Sequence, residues 1–220
     1  MFIGHFGVGF GAKAAAPRVS LGTLLLAAQF VDLLWPLFVL LGIETVRIDP
    51  GNTAVTPLDF VSYPVTHSLL TGVGWGVLLG GGYLMLRRQI RGAVVVAAAV
   101  VSHWVLDWIS HRPDLPLVPG GSKVGLGLWN SVPTTVAVEG LIFAVGIGLY
   151  LRATRARDRI GHGALWSLVG FLALAYAANL AGPPPPSVKA LGLVGLAMWV
   201  LVPWGYWIDR HREPIARPDT

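Results

Sequence analysis

Apolar residues in this chain form six long stretches separated by short, more polar segments. Each stretch approaches the roughly 20 residues that a helix needs to cross the hydrocarbon core of a membrane. The pattern therefore predicts an all-α membrane bundle of about six transmembrane helices. The predicted spans are Leu21–Ile43, Ser68–Leu86, Gly92–Ile109, Val132–Leu151, Ala164–Ala181 and Val188–Trp207.

Composition supports an integral membrane protein. Of the 220 residues, 54% are hydrophobic and only 12% are charged, and the mean hydropathy is +0.66. Soluble domains carry about 25% charged residues, roughly twice this fraction. Nine tryptophans suit aromatic anchors at the two membrane interfaces. The chain has no cysteine, so disulfides, iron–sulfur clusters and thiolate zinc sites are excluded, and nitrogen and oxygen must hold any metal.

Basic residues concentrate in alternate connecting segments, which sets the expected orientation. Under the positive-inside rule, these segments and both termini should be cytoplasmic. The net charge of +5 then reflects topology, and no nucleic-acid partner is expected. The cytoplasmic set is Lys13, Arg18, Arg87, Arg88, Arg91, Arg152, Arg155, Arg157, Arg159, Arg210 and Arg212, against Arg47, Arg112, Lys123 and Lys189 on the other side.

Residues 1–17 precede the first span and are apolar and glycine-rich, with His5 among them. They differ from a cleavable signal peptide because their basic residues follow the apolar run. We expect this segment to lie at the interface or to re-enter the bundle, and only re-entry would bring His5 near the outer side. Residues 21–207 would form the bundle and 208–220 a cytoplasmic tail, all within one membrane domain.

The third span carries the most informative polar residues. Its sequence Ser-His-Trp-Val-Leu-Asp-Trp-Ile-Ser-His places His103, Asp107 and His111 four residues apart, on one face of a helix. Ionisable groups are costly in hydrocarbon and rarely persist there without a partner or a function. Two imidazoles around a carboxylate are also ligand types that zinc favours.

The predicted topology places further polar residues at the same depth near the outer leaflet. His67 lies at the outer start of the second span, and Glu139 lies about 10 Å below the outer end of the fourth. Asp32 is deeper in the first span, but a kink at Pro36 could bring it closer. Structural alternatives remain for each residue: a His103–Asp107 hydrogen bond, a helix-start position for His67, a buried packing carboxyl at Glu139 and a solvated His111.

Four sequence blocks together resemble a known family. They are Gly4-His5, Asp32, the Thr-His-Ser-Leu-Leu block at Thr66–Leu70 and the His-x-x-x-Asp block of His103 and Asp107. In this order they resemble the bacterial inner-membrane metal-dependent hydrolases, also described as LexA-binding membrane hydrolases, over about residues 1–115. The resemblance implies a bacterial inner-membrane location and metal ligands at His5, Asp32, His67, His103 and Asp107.

One feature departs from that family. Leu-Leu-Trp-Pro follows Asp32, where the family often has a paired Asp-x-Asp, which argues against a two-metal site. More remotely, His-x-x-x-Asp followed by another histidine is similar to zinc-dependent phospholipase C and to a class of zinc-dependent nucleases.

The resulting hypothesis is a membrane-embedded metal-dependent hydrolase, with zinc as the expected ion, acting on a lipid or lipid-linked phosphoester near the outer leaflet. His67, His103, Asp107 and Asp32 would hold the metal, His5 or His111 would complete the shell, and Glu139 would accept a proton. Two alternatives stay open. The same polar residues could form the relay of a transporter or proton-coupled channel, or the metal could be structural in a membrane scaffold.

Overall fold

The computed structural model describes residues 1–215 as a helical bundle with three small strand pairs. The helices are α1 Ile3–Ala15, α2 Leu21–Ala28, α3 Phe30–Leu40, α4 Pro64–His67, α5 Leu69–Arg87, α6 Ile90–Ser110, α7 Val132–Ala153, α8 Arg159–Ala181, α9 Val188–Leu196 and α10 Leu201–Arg210, with 3-10 turns at Leu128–Asn130 and Ala197–Val200. The strands are β1 Thr45–Ile48, β2 Leu58–Ser62, β3 Leu115–Pro116, β4 Lys123–Val124, β5 Thr154–Ala156 and β6 Arg212–Pro214.

The prediction of an all-α membrane bundle is confirmed. Helices α5, α6, α7 and α8 and the continuous segment Val188–Arg210 are each long and apolar enough to cross a membrane. The bent pair α2 and α3 gives a sixth such segment. Their outer faces are apolar, as lipid contact requires: Met85 and Leu86 on α5 are 82% and 84% exposed. The chain is a helical membrane protein.

The first apolar segment bends at Gln29 and not at Pro36. The axes of α2 and α3 differ by 54°, and Pro36 lies within α3. Gln29 leaves helical geometry with φ −104° and ψ 5°, which ends α2. The carbonyl of Ala28, at this break, accepts a hydrogen bond from the ring of His103. A tertiary contact therefore accompanies the bend, and the proline is accommodated in the following helix.

Helix α1 lies inside the bundle, which is the re-entrant arrangement considered for residues 1–17. Its 13 residues span about 20 Å, and it packs against α2, α6 and α7. At its C-terminal end, Lys13 donates to Asp209 of α10 and to the carbonyl of Val19, both at 2.8 Å.

The path of α1 corrects the expected placement of the termini. His5 lies at the Asp107 end of α6, whereas Ala15 accepts a hydrogen bond from Arg91 at the start of α6. Residue 1 and residue 210 thus lie at opposite ends of the bundle. A cytoplasmic position for both ends of the described chain does not fit this arrangement.

Close backbone contact between α1 and α7 depends on two glycines. A Cβ on Gly7 would lie 2.7 Å from the carbonyl oxygen of Ile142, and one on Gly146 would lie 2.0 Å from that of Gly7. Small residues at such positions let membrane helices approach closely. This contact keeps α1 in the interior and fixes the depth of His5.

The segments between helices contain strands that the apolar pattern did not predict. Strands β1 and β2 form a hairpin whose connection contains Asp49-Pro50-Gly51-Asn52, where Gly51 has φ +95°. Strand β6 pairs with β5, so residues 208–215 belong to α10 and this strand pair and are not a free tail. The rest of the predicted tail, residues 216–220, lies outside the described residues.

We predict that Gly146→Ala destabilises the bundle, since the added methyl would collide with the α1 backbone. Overpacking of this kind costs about 1–3 kcal/mol, which should lower the melting temperature in detergent. Gly148→Ala is the matched control on the same helix, because a Cβ there meets nothing within 4 Å. An alanine at that position should be neutral or slightly stabilising. Equal melting temperatures for the two variants would contradict the proposed packing.

Candidate metal centre

Five of the predicted site residues meet at one point near the C-terminal end of α6. They form two groups whose ligand atoms lie within 4.8 Å of one another, and His103 belongs to both. Helix α1 supplies one residue, α3 one, α4 one and α6 two. The first group is His5, His103 and Asp107, and the second is Asp32, His67 and His103.

The ring of His103 is fixed by a backbone hydrogen bond. Its Nδ1 lies 2.8 Å from the carbonyl oxygen of Ala28, which can only accept, so Nδ1 carries the proton. In the neutral ring the other nitrogen, Nε2, presents a lone pair. It is buried without a hydrogen-bond partner, 3.2 Å from Asp107 Oδ2 and 3.5 Å from Asp32 Oδ1. A second proton on this ring or a bound cation would satisfy such an arrangement.

His67 is fixed in the same sense by a chain of side chains. Glu44 accepts hydrogen bonds from the backbone of Val65 and Thr66 at the start of α4, and its Oε2 accepts from the Thr66 hydroxyl at 2.7 Å. The same hydroxyl lies 2.6 Å from His67 Nδ1. Since the Thr66 hydroxyl donates its proton to Glu44, it can only accept a hydrogen bond from His67 Nδ1. The lone pair of His67 is thus on Nε2, 3.3 Å from Asp32.

The Glu44–Thr66 support was missed by sequence reasoning. Glu44 is 2% exposed, although it stands at the start of a segment that reads as a polar loop. Thr66 belongs to the Thr-His-Ser-Leu-Leu block, but the sequence predicts no hydrogen-bonding role for it. The one available signal was its position directly before His67, and the partner lies 22 residues away in sequence.

Four donor atoms, one each from His67, His103, Asp32 and Asp107, lie close together, and we call this set the cage. The two Nε2 atoms of His67 and His103 lie 3.3 and 3.5 Å from Asp32 Oδ1, and 3.7 and 3.2 Å from Asp107 Oδ2. Tetrahedral zinc with bonds of about 2.1 Å separates its ligands by about 3.4 Å. These donors fit such an ion in type and in spacing.

His5 reaches the other oxygen of Asp107. Its Nε2 lies 3.1 Å from Oδ1, and its ring stacks on His103 with centroids 3.5 Å apart. The amino nitrogen of Met1 lies 2.5 Å from the same oxygen. His5 therefore supports the carboxylate from the side away from the four-atom cage, while its Nε2 remains within ligand distance of His103 and Asp107.

Glu139 is buried beside the site and contacts the start of α1. Its Oε2 accepts hydrogen bonds from the backbone of Phe2 at 2.8 Å and Gly4 at 3.2 Å. A carboxylate at this position satisfies N–H groups that a helix leaves free at its N-terminus. The contact positions α1, and thus His5. The predicted role of Glu139 as a proton acceptor stays a prediction.

His111 belongs to neither ligand group. Its Nδ1 lies 2.9 Å from Asp114 Oδ1, which also accepts from the hydroxyl of Tyr63 at 2.9 Å. Burial lowers the pKa of His111 below its usual 6.5, although the hydrogen bond with Asp114 opposes this shift. Burial would raise the pKa of Asp114, but hydrogen bonds from His111, Tyr63 and Arg112 outweigh it and lower the pKa. Sequence reasoning identified neither Asp114 nor Tyr63 as a partner.

A small cavity of about 150 Å³ opens beside these groups. One wall is polar and includes Asp32, His67, Asp107 and His111, while Trp35, Phe60, Trp129 and Tyr176 contribute aromatic surface. No lysine or arginine lines it among the described residues. Asp32 is the cage residue with the most exposed side chain, at 25%. A molecule in the cavity would therefore approach the cage from the side of Asp32.

Comparisons with models of protein families, with curated proteins and with solved structures give no match to this chain. The chemistry of the site must be inferred from its own geometry.

The burial of His111 predicts a specific pH dependence of stability. Because its pKa is lowered in the folded state, the unfolded chain binds the extra proton as the pH falls below about 6.5, and folding loses stability there. Removing this titration in His111→Gln should reduce the fall in melting temperature between about pH 7.5 and about pH 5.5.

His162→Gln provides the control, since His162 is exposed on α8. It should retain the wild-type profile in thermal unfolding. An undiminished pH dependence in His111→Gln would contradict the assignment of a neutral, buried His111.

Proposed function

We propose that the protein is a membrane-embedded, metal-dependent hydrolase, with its metal held by His67, His103, Asp32 and Asp107. One observation carries the proposal: both histidines are fixed by hydrogen bonds at Nδ1, so both Nε2 lone pairs point at carboxylates. A divalent cation relieves this repulsion. The resemblance of the same residues to inner-membrane metal-dependent hydrolases supports the same interpretation.

The donor set favours zinc. Two imidazole nitrogens and two carboxylate oxygens match the ligand types and spacing of a tetrahedral zinc site. The Ala28 carbonyl and the Thr66–Glu44 pair supply the outer hydrogen bonds that orient metal-bound histidines. A bound ion would lower the pKa of a coordinated water toward about 7 and polarise a phosphoryl oxygen.

His111 is the residue best placed to move a proton in the cavity. Asp114 holds its Nδ1, which leaves Nε2 as the ring nitrogen available to the cavity. A histidine oriented by a carboxylate in this way can take a proton from the attacking water and return it to the leaving oxygen. We favour it over Glu139 because Oε2 of Glu139 already accepts two backbone hydrogen bonds.

The cavity supports a small phosphoester group on a larger apolar molecule as substrate. A volume of about 150 Å³ admits a phosphoryl group and some water but not a whole lipid. Its aromatic residues suit an apolar neighbour, and the missing basic lining argues against a polyanion such as nucleic acid. Under the positive-inside rule we expect this end of the bundle at the outer leaflet, where a lipid-linked phosphoester would be available.

The two alternatives make different demands on the same atoms. A proton relay would join the histidines and carboxylates through protons and need no metal. A structural metal would bind but leave no position for water or substrate. Measurements of metal content and of hydrolysis together distinguish the hydrolase, the proton relay and the structural-metal scaffold.

We predict that purified wild-type protein supplied with zinc holds one zinc ion per chain. His103→Ala and Asp107→Ala each remove a ligand and should reduce bound zinc at least tenfold, measured by elemental analysis. Thr66→Val keeps the ligands but breaks the support of His67, and should weaken zinc affinity roughly 10- to 100-fold.

His162→Ala is the matched control, because this histidine is exposed and outside both ligand groups. Its zinc content should equal that of wild type. Wild-type protein without stoichiometric metal, although zinc is present during preparation, would refute the metal site and favour the relay.

We predict that the zinc-loaded protein hydrolyses bis(p-nitrophenyl) phosphate in detergent, and that His111→Gln lowers the rate about 100-fold or more. Zinc content should stay at the wild-type level in this variant because His111 is outside the cage. Loss of zinc in His111→Gln would instead identify His111 as a ligand. A zinc-loaded wild type without hydrolysis of this probe or of a lipid phosphoester would favour the structural metal.

A further inference from the structure

A second cavity, of about 710 Å³, lies at the end of the bundle away from the metal cage. It is a groove between the α1–α2 connection, the first turn of α6 and the end of β6. Arg91 in this groove and Asp107 in the cage are 16 residues apart on α6, or about 24 Å along the helix.

The groove is positively charged. Arg18 and Arg91 line it, and no aspartate or glutamate of residues 1–215 is among its lining residues. Arg91 is held in place by its Nε, which donates to the carbonyl of Ala15 at 2.6 Å. Within residues 1–215, neither arginine forms an ion pair. The nearby Glu213 is paired with Arg155 at 2.7 Å and does not offset this charge.

The same groove has apolar walls that continue onto the lipid-facing surface. Val19, Ile90 and Ile215 contribute to its lining. Ile90 at the start of α6 is 71% exposed, and Leu86 at the end of α5 is 84% exposed. A ligand with an anionic head and an apolar tail could therefore place the head between the arginines and the tail along α5 and α6.

We propose that this groove binds the head group of an anionic phospholipid, with its phosphate between Arg18 and Arg91. Basic pockets between transmembrane helices on the cytoplasmic side suit such head groups, because anionic lipids are concentrated in that leaflet. Arg18 and Arg91 also belong to the set that the positive-inside rule places in the cytoplasm. This site is separate from the metal cage and does not depend on the proposed hydrolase activity.

The test is lipid binding by the full-length protein in nanodiscs. Discs of phosphatidylcholine alone are compared with discs that also contain phosphatidylglycerol, and retained lipid is measured by native mass spectrometry after release. Wild type should retain one phosphatidylglycerol per chain in preference to phosphatidylcholine. The double variant Arg18→Gln with Arg91→Gln should bind phosphatidylglycerol roughly thirtyfold more weakly, from the loss of two lipid-facing charges.

Arg152→Gln with Arg159→Gln is the matched control, since it removes two exposed charges that do not line the groove. It should retain the lipid as wild type does. Equal loss in both double variants would show general attraction to a basic face and would overturn the proposal. Inorganic phosphate that displaces the lipid at equal concentration would also overturn it, because the groove would then be a free-phosphate site.

Discussion

The hydrogen bond between His103 and the carbonyl of Ala28 connects the fold of this protein to its site. The carbonyl lies where α2 ends, and the 54° bend that follows turns α3 toward α6. The turn brings Asp32 within 3.5 Å of His103 and 3.3 Å of His67. The same hydrogen bond fixes which nitrogen of His103 carries a proton. One contact thus sets both the position of a carboxylate and the direction of the lone pair that faces it.

The interior path of α1 is the second condition for the site. Gly7 and Gly146 allow its backbone to contact α7, Glu139 accepts hydrogen bonds from its first residues, and Lys13 pairs with Asp209 at the other end. A buried lysine and a buried carboxylate are costly in an apolar bundle unless each is paired. These contacts fix α1 along its axis. His5 consequently stacks on His103 and hydrogen-bonds to Asp107. A helix lying on the membrane surface could not bring His5 to this position.

The two ends of the bundle have contrasting chemistry. At the Asp107 end, the polar groups are mostly buried histidines and carboxylates beside a small cavity with aromatic walls. At the Arg91 end, the polar groups are exposed arginines around a wider groove with apolar sides. Reaction chemistry in a membrane benefits from the first environment because a low-dielectric surrounding strengthens interactions with charge. Retention of a charged lipid head requires the second.

The sequence by itself determined the helical membrane class, the approximate position of the apolar segments, and the place of His103 and Asp107 on one face of the third segment. These follow from local properties, since hydrophobic length and helical spacing do not depend on distant residues. It also identified Asp32, His67 and His5 as candidates.

Only the tertiary structure decided how these residues are used. Contacts between residues far apart in the sequence determine the bend at Gln29, the interior position of α1, the Glu44–Thr66–His67 chain and the hydrogen bond from Tyr63 to Asp114. Glu44 illustrates the reason. Its residue type and its neighbours indicate a polar loop, and its burial arises only because β1 and α4 meet in space. Hydrogen-bond direction is set by such long-range partners, and no pattern along the chain encodes it.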